Sequence, residues 1–555
     1  MNPSKPTLAI YAIQDRLDSD TPYFVHDHGI TLMHRGKVIK HLTYERHSRS
    51  KHCNKLHRSL FQVLKDAQLL SADVDVVFVD NVVGRAMISA CGKIRFEAPL
   101  NSTLLPHPEA GRCWWLDKER KAYALNHELA HLGSCLPFYG TFKKNSLLIH
   151  FDGGASHSNF SAWYYDGTTL RNIDFHWRLK YLSSFFNANA LVFAIIGANY
   201  EQQNSVPGKM MGLASYGSYS VEMEKWLVEN DYFSACWGKK TDFYKKAKEQ
   251  FNWSHRQFNT DDPFLQNIVA TLQHIFIRDL LKEITKLQHK TQAQYLYYSG
   301  GSALNIVANK ALLQSGLFRD VFIPPCPDDS GLTLGAAAFV EWQKHGNIAI
   351  HPPYLNNWGI TDSTAIDASE IDRIAKLISQ NKVIGICNGP AEIGPRALGN
   401  RSIIAAANNR ELAQKVSMQH KGREWYRPVA PILLQKNVQY YTGLSPIHHL
   451  ANFMLLDFDI LPDKQSEMEG CVHVDGSARI QAIRNKEQNP FMHQLLTVLD
   501  TRYQIKALIN TSFNKRGEPI VHTPQDAICS AKNMQLDALV INGRLCNIEI
   551  TTSHK

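Results

Sequence analysis

The chain reads as an α/β protein, and three features of its 555 residues predict that class. Runs rich in apolar residues, such as the β-branched Val74 to Asp80 and the leucine-rich Ser146 to Phe151, have the composition of strands buried on both faces. Two such runs leave through tight glycine turns, Asp152-Gly153-Gly154 and Gly300-Gly301. The second turn opens directly into a helix, placing backbone amides where a phosphate or ribose can approach. Strand–turn–helix units of this kind recur over about 200 residues, a pattern that suggests the actin and sugar-kinase class of ATPase fold.

Composition narrows the field. A chain this long exceeds one ordinary core, so two or more domains are expected. Hydrophobic residues make up 44% and charged residues 20%, as in soluble globular proteins. No run approaches the roughly eighteen apolar residues of a membrane span, and Leu8 to Ile13 is too short for a signal-peptide core. The net charge of +9 is spread out, which suits anionic small substrates at least as well as nucleic acid. The ten cysteines form no C-x-x-C pair, pointing to a reducing cytoplasm and away from a cysteine zinc module.

Taken in order, a first strand spans Thr7 to Ile13. His26-Asp27-His28-Gly29 then leads into a hairpin turning at Arg35-Gly36. The basic cluster Glu45 to His52 reads either as a solvated helix start or as a set of phosphate or carboxylate clamps. A helix over Lys55 to Ala67 follows. In Asn126-His127-Glu128-Leu129-Ala130-His131, helical spacing puts both imidazoles on one face, where they can grip one metal ion. Three readings stand here: the zinc-protease signature with Glu128 activating water, a two-histidine metal clip completed by carboxylates from elsewhere, or two surface histidines.

Phe160 to Ile173 predicts a hairpin around Asp166-Gly167. Pro207 to Gly217 reads as a glycine-rich loop carrying Lys209 and Gly212, and about 218–262 as an aromatic inserted cap with little periodicity. Leu265 to Leu280 has the spacing of an amphipathic helix. Asp328-Asp329 sits in a loop before an alanine-rich helix, and a domain boundary falls near His351 to Tyr354. Beyond it, Gly394 to Ser402 and Lys421 to Pro428 interleave cations with Gly and Pro. That density fits a site for a triphosphate or acyl phosphate. A last strand, Ile505 to Ile509, runs into Asn510-Thr511-Ser512.

These motifs together resemble the NodU/TobZ family of O-carbamoyltransferases over nearly the whole chain. The matches are His26-Asp27 before Gly36, Glu45-Arg46-x-x-Arg49-x-Lys51-His52, the His127/His131 pair, Lys209 to Ala214, Gly300-Gly301 with Asn305, Gly394 to Ser402, Lys421 to Pro428, Asn510 to Asn514 and Gly517 to Val521. The resemblance implies a TsaD-like N-terminal domain (residues 1–352) of the actin-like (ASKHA) ATPase class, built from two related subdomains, and a YrdC-like α/β domain (366–555). It implies that the latter makes carbamoyl adenylate from carbamoyl phosphate and Mg-ATP. The former would then pass the carbamoyl group to a hydroxyl of a small-molecule acceptor, a natural product or sugar.

By the same resemblance, iron(II) or another divalent metal would be held by His127, His131, Asp152 and Asp329, with His26 the general base. Of the Asp328-Asp329 doublet, Asp329 fits the family's Asp-x-Gly pattern. Lys209, Gly212, Gly300, Gly301 and Asn305 would contact the nucleotide or adenylate. Arg396, Lys421, Arg427, Arg479, Asn510, Thr511 and Ser512 would bind carbamoyl phosphate and ATP. Composition points to a cytoplasmic enzyme with no membrane partner, and the lack of a dense basic face speaks against a nucleic-acid partner. One departure stands out: the family's Asp-Gly-x-Gly-Glu is replaced by Asp152-Gly153-Gly154-Ala155-Ser156, which puts a nucleotide contact at that turn in question. Under the two-histidine reading, Glu128 is incidental, packing or facing solvent. The competing functions are an actin-like nucleotide-binding protein without transfer activity, carbamoylation of tRNA, and a zinc metalloprotease. The protease lacks its third histidine, since position 137 is proline.

Overall fold

The computed structural model describes residues 1–14, 25–180, 196, 200–230, 240–255 and 258–546. In the first sheet β1 (Thr7–Tyr11) pairs antiparallel with β2 (Gly29–His34), and β2 antiparallel with β3 (Lys37–Thr43). On its other side β1 runs parallel to β4 (Asp75–Val79). An antiparallel extension follows: β5 (Ala86–Ile88), β6 (Ile94–Glu97), β7 (Glu109–Trp115) and β8 (Lys118–Glu119). β9 (Ala122–Leu125) then joins β4 in parallel, giving the central order β3-β2-β1-β4-β9.

The second sheet repeats this plan. β10 (Ser146–Phe151) pairs antiparallel with β11 (Phe160–Tyr165), and β11 with β12 (Leu170–His176). β10 runs parallel to β13 (Tyr295–Ser299), and β13 to β14 (Asp320–Phe322), for the order β12-β11-β10-β13-β14. Two sheets of one connectivity, three antiparallel strands followed by two parallel ones, make the duplicated actin-like fold that the sequence predicts. Every residue of β10 is buried, in keeping with its unbroken apolar run.

The C-terminal sheet contains β15 (Ile384–Cys387), β16 (Arg401–Ala406), β17 (Ala430–Leu434), β20 (Gln481–Ile483), β21 (Ala507–Ser512), β22 (Ala538–Ile541) and β23 (Arg544–Cys546), in the order β20-β17-β21-β16-β15-β22-β23. A small ribbon, β18 (Phe458–Asp459) with β19 (Ser477–Ala478), lies apart from it. This is a mixed α/β domain, distinct in topology from the two sheets before it.

Several expectations change. The stretch Val206–Ala214 is a helix, not a glycine loop, because Pro207 sits in its first turn and Met210 and Leu213 are buried beneath it. The region taken as irregular holds the helices Val221–Glu229 and Lys240–Phe251, packed through Trp226, Phe243 and Trp253. The strand placed at Ile505 to Ile509 is shifted to Ala507–Ser512 and is not the last, since β22 and β23 follow it. The segment between Gln14 and Tyr23, which separates the first strand from His26, lies outside the described residues from 15 onward. No helix among the described residues is long and apolar enough to cross a membrane.

Candidate active site

The histidine pair sits on the helix His127–Gly133, which Asn126 caps by accepting a hydrogen bond from Leu129 N at 2.9 Å. This helix crosses the helix Leu332–His345 at close range. A Cβ on Gly335 would lie 1.8 Å from Ala130 O, and one on Gly133 would lie 2.2 Å from Gly335 O. Two glycines therefore let the backbones touch, and Asp329, in the turn just before the second helix, reaches the histidines. Asp329 Oδ1 lies 3.5 Å from His127 Nε2 and 3.4 Å from His131 Nε2. The two Nε2 atoms are 3.1 Å apart, and Asp152 Oδ2 is 3.5 Å from His131 Nε2.

Atoms that share one ion at about 2.1 Å, at angles near 90–110°, lie about 3.0–3.5 Å apart. The four residues fit a divalent transition metal, with borderline nitrogen and hard oxygen donors and no thiolate. Asp152 is aimed from β10 by two glycine turns: its carboxylate accepts from Gly153 N and from Gly301 N. Gly300, at φ +101°, supplies the second turn, and a Cβ there would meet Phe151 O at 2.2 Å. Gly300 thus shapes the turn, and it is Gly301 that reaches the cavity.

Glu128 is fully buried, contrary to the expectation that it is incidental. Its carboxylate accepts from His157 N (2.8 Å), Ser156 N (3.2 Å) and Ser158 Oγ (3.1 Å). It holds the loop that departs from the family pattern. Ser156 in turn accepts from His127 N at 2.9 Å and donates to Asp80, whose carboxylate is forked by Arg85. The substituted turn is therefore an inward-facing brace for the metal-gripping helix.

His26 Nδ1 lies 2.9 Å from Asp27 and 3.7 Å from Asp329. Burial pulls its pKa down, but the Asp329 charge and the bonded Asp27 outweigh burial and raise it to about 10. A cation held by Asp329 would oppose that rise. His52 Nδ1 approaches Asp27 at 3.2 Å from the other side. Asp328, next to the cluster, is pushed up to about 7 by burial and by Asp27.

A cavity of about 1160 Å³ joins this cluster to the C-terminal domain. Its near end is lined by His26, Asp152, Asp329, Gly301 and Asn305, with His127 and His131 buried behind. Its far end is lined by Arg396, Lys421, Arg427, Arg479, Asn510, Thr511 and Ser512, all of which the sequence analysis assigns to phosphate and ATP. Arg423 belongs with them and was missed: it lies inside the recognised Lys421 to Pro428 stretch, but loop residues have no periodicity to tell which cations point inward. Burial, then the neighbouring Arg427 charge, lowers Arg396 to about 10. Burial and the Arg427 and Arg396 charges push Arg423 well below the usual arginine range, and burial with Arg396, Arg423 and Arg427 does the same to Arg479. Lys421 is lowered by burial and by Arg423, and its ammonium also pins the next turn by donating to Ser512 O and Asn514 O.

Other assigned residues are placed differently. Lys209 lines the cavity, but from a helix, and is paired with Glu424 at 2.7 Å. Gly212 faces Tyr426 and lines a separate small cavity of about 80 Å³, away from the cluster. Asn305 caps the helix Ile306–Gln314 and exchanges hydrogen bonds with Gln273. Asn510 is held by Ala397 O and Gln481, so its amide serves structure first. In the cluster at 45–52, Arg46 and Arg49 clamp neither phosphate nor carboxylate primarily. Arg46 donates to Glu392 O and Gly394 O (both 2.7 Å), and Arg49 to Ile520 O (2.8 Å) and Pro519 O (3.1 Å).

The sequence model of the carbamoyltransferase N-terminus matches residues 108–338, and that of the carbamoyltransferase C-terminus matches residues 375–547. The nodulation protein NolNO of Sinorhizobium fredii is 27% identical, over 94% of this chain and 79% of its own. Nodulation protein U of Azorhizobium caulinodans is 26% identical, over 89% of this chain and 92% of its own. Among solved structures, full-length HypF in its phosphate- and nucleotide-bound form shares 12% identity over 60% of this chain and 55% of its own, with a TM-score of 0.31, a likeness too slight to build on. With both halves matched in order and full-length relatives of the nodulation type, the chain belongs to the NodU/TobZ family of carbamoyltransferases.

Proposed function

We propose that this protein makes carbamoyl adenylate from carbamoyl phosphate and ATP at the cationic end of the cavity. It then transfers the carbamoyl group to a hydroxyl of a small-molecule acceptor at the histidine–carboxylate end. The observation that carries this reading is the single cavity whose two ends hold complementary chemistry. Arg396, Lys421, Arg423, Arg427 and Arg479 offer the charge needed to hold phosphates while water takes phosphate from carbamoyl phosphate and the freed carbamate oxygen attacks the α-phosphorus of ATP, displacing pyrophosphate. The division into residues 1–352 for transfer and 366–555 for adenylate formation follows the same split.

In the transfer step the acceptor oxygen attacks the carbamoyl carbon, the bond to the adenylate oxygen breaks, and AMP leaves. His26, at the cavity wall, takes the hydroxyl proton on an imidazole nitrogen, with Asp27 holding the ring in place. Held by His127, His131, Asp152 and Asp329, a divalent cation such as iron(II) would supply Lewis acidity toward the carbamoyl oxygen. By neutralising Asp329, it would also let His26 lose its proton near neutral pH. Gly301 N–H keeps Asp152 aimed inward throughout. The protease reading is disfavoured because Glu128 is committed to the 156–158 loop and has no free carboxylate oxygen. The test is to incubate the protein with ATP and carbamoyl phosphate. Pyrophosphate release that requires carbamoyl phosphate supports the reading, and ATP binding without such release would favour an inactive nucleotide-binding protein.

A further inference from the structure

Beside Asp152 the cavity wall is apolar. Val82, Val83 and Trp177 line it together with Gly153 and Gly154, and these three large hydrophobic side chains are left 52%, 37% and 49% exposed. Apolar surface left open in a concavity marks where a ligand's own apolar face is received. Val82 and Val83 form the tip of a two-residue turn, in which Asn81 N donates to Gly84 O at 3.2 Å and Gly84 N to Asn81 O at 3.1 Å. Turn tips ordinarily carry Gly, Asn, Asp or Pro, so turn chemistry does not account for a pair of valines.

Both apolar features are fastened to the histidine–carboxylate cluster. Asn81 Nδ2 donates to Tyr11 Oη at 3.1 Å and lies 3.4 Å from His127 Nδ1, while Val82 N donates to Ala155 O at 3.0 Å. Trp177, just past β12, lies over the same loop: a Cβ on Gly154 would stand 3.3 Å and 3.4 Å from two carbons of its six-membered ring. Gly154 is not among the glycines at positive φ, so its backbone would accept any residue, and what it lacks is room beneath the indole. Glycine at this variable position of the family's turn therefore seats Trp177 two residues from Asp152.

The wall itself carries no charge. The carboxylates at this end are already engaged, Asp27 with His26 at 2.9 Å, Asp152 with His131 at 3.5 Å and Asp329 with His127 at 3.5 Å. A polycationic acceptor would find no free counter-charge there, whereas an uncharged ring with a CH-rich face matches an indole and two valines. We propose that Trp177 and the Val82–Val83 tip form the acceptor subsite, and that the acceptor is a neutral cyclic alcohol. Its sugar-like ring stacks on Trp177 and its apolar edge or substituent meets the two valines. The bound alcohol's role as carbamoyl acceptor rests on the function proposed above, whereas the neutral apolar subsite does not.

The experiment uses the full chain and two probes of one shape: p-nitrophenyl glucoside, which is neutral, and its amino-sugar analogue, which adds one positive charge. By calorimetry, wild type should bind the neutral probe about tenfold or more tighter than the charged one. Trp177→Ala should weaken the neutral probe about tenfold or more, and Trp177→Phe should recover most of that loss. Val82→Ser combined with Val83→Ser should weaken it about threefold or more, and Gly154→Ala should also weaken it by displacing the indole. In turnover of a neutral cyclic alcohol, the Trp177→Ala loss should appear in KM more than in kcat. Three results overturn the assignment: equal or tighter binding of the charged analogue, no binding of either probe, or affinity of Trp177→Ala for the neutral probe within about twofold of wild type at unchanged thermal stability. If the neutral probe binds through Trp177 but wild type releases no pyrophosphate from ATP with carbamoyl phosphate, the proposed function fails and the subsite stands. If pyrophosphate release requires carbamoyl phosphate but the probes show no preference, the function stands and the subsite fails.

Discussion

At the N-terminal end of the cavity the charges come in compensated sets, whereas at the C-terminal end like charges face one another. His26, His127 and His131 each lie within 4 Å of a carboxylate, and Asp27 is flanked by two imidazoles. Arg396, Arg423 and Arg479 make no ion pair among the described residues, and each is depressed by burial and by neighbouring arginines, Arg427 among them in every case. A compensated cluster keeps its geometry before any ligand arrives. An uncompensated one stores repulsion that a polyanion relieves, so its affinity comes from the ligand's own charge. One end is built to hold and aim, the other to capture.

The largest effect should come from breaking the capturing end. Lys421→Ala removes a cation and also frees the Ser512–Asn514 turn that Lys421 pins. Carbamoyl-phosphate-dependent pyrophosphate release should fall by about 10²–10³-fold or more, and with it every later step. Pyrophosphate release at near the wild-type rate would mean that the adenylate forms elsewhere. Next comes the aiming end. His26→Asn should lower acceptor carbamoylation by about 10²–10⁴-fold while pyrophosphate release persists. His131→Ala should show the same split together with loss of bound metal by elemental analysis. If His26→Asn stops pyrophosphate release as well, the two ends do not divide the labour.

A smaller effect sharpens the contrast without changing a residue. In metal-free protein His26 should keep its proton up to about pH 10, because Asp329 and Asp27 both favour the imidazolium. Zinc added as a diamagnetic probe neutralises Asp329, so the His26 pKa should move down by more than one unit in an imidazole NMR titration. An upward or absent shift would show that Asp329 does not carry the cation.

Much of this was legible in the sequence because it depends on local pattern. Buried apolar runs marked out β4 and β10, and i,i+4 spacing paired His127 with His131. The unread parts depend on contacts between distant segments. Nothing near Lys209 in sequence announces its pairing with Glu424, and that pairing is what commits its ammonium. Nor could the helix position of Gly212 against Tyr426 be located before the two halves were seen together. The cluster at 45–52 invited a choice between solvent and phosphate. Arg46 and Arg49 took a third course, backbone carbonyls of another domain, which no local rule predicts.

The smallest expected effect tests whether the aiming end owes its rigidity to the brace behind it. Glu128 satisfies two amides and one hydroxyl in the 156–158 loop, and through Ser156 that loop meets the amide of His127. In Glu128→Ala those donors lose their acceptor inside a region closed to solvent, at about 1–3 kcal/mol for each left unmade. The predicted loss of folding stability is about 2–5 kcal/mol by urea denaturation, with Glu128→Gln losing less because its amide oxygen still accepts. The helix His127–Gly133 should loosen with the loop, so metal retention should drop alongside stability while pyrophosphate release does not. Equal stability of Glu128→Ala and wild type would return Glu128 to the incidental status its spacing first suggested, and would leave the Asn126 cap and the two glycines at the helix crossing to fix the histidine pair.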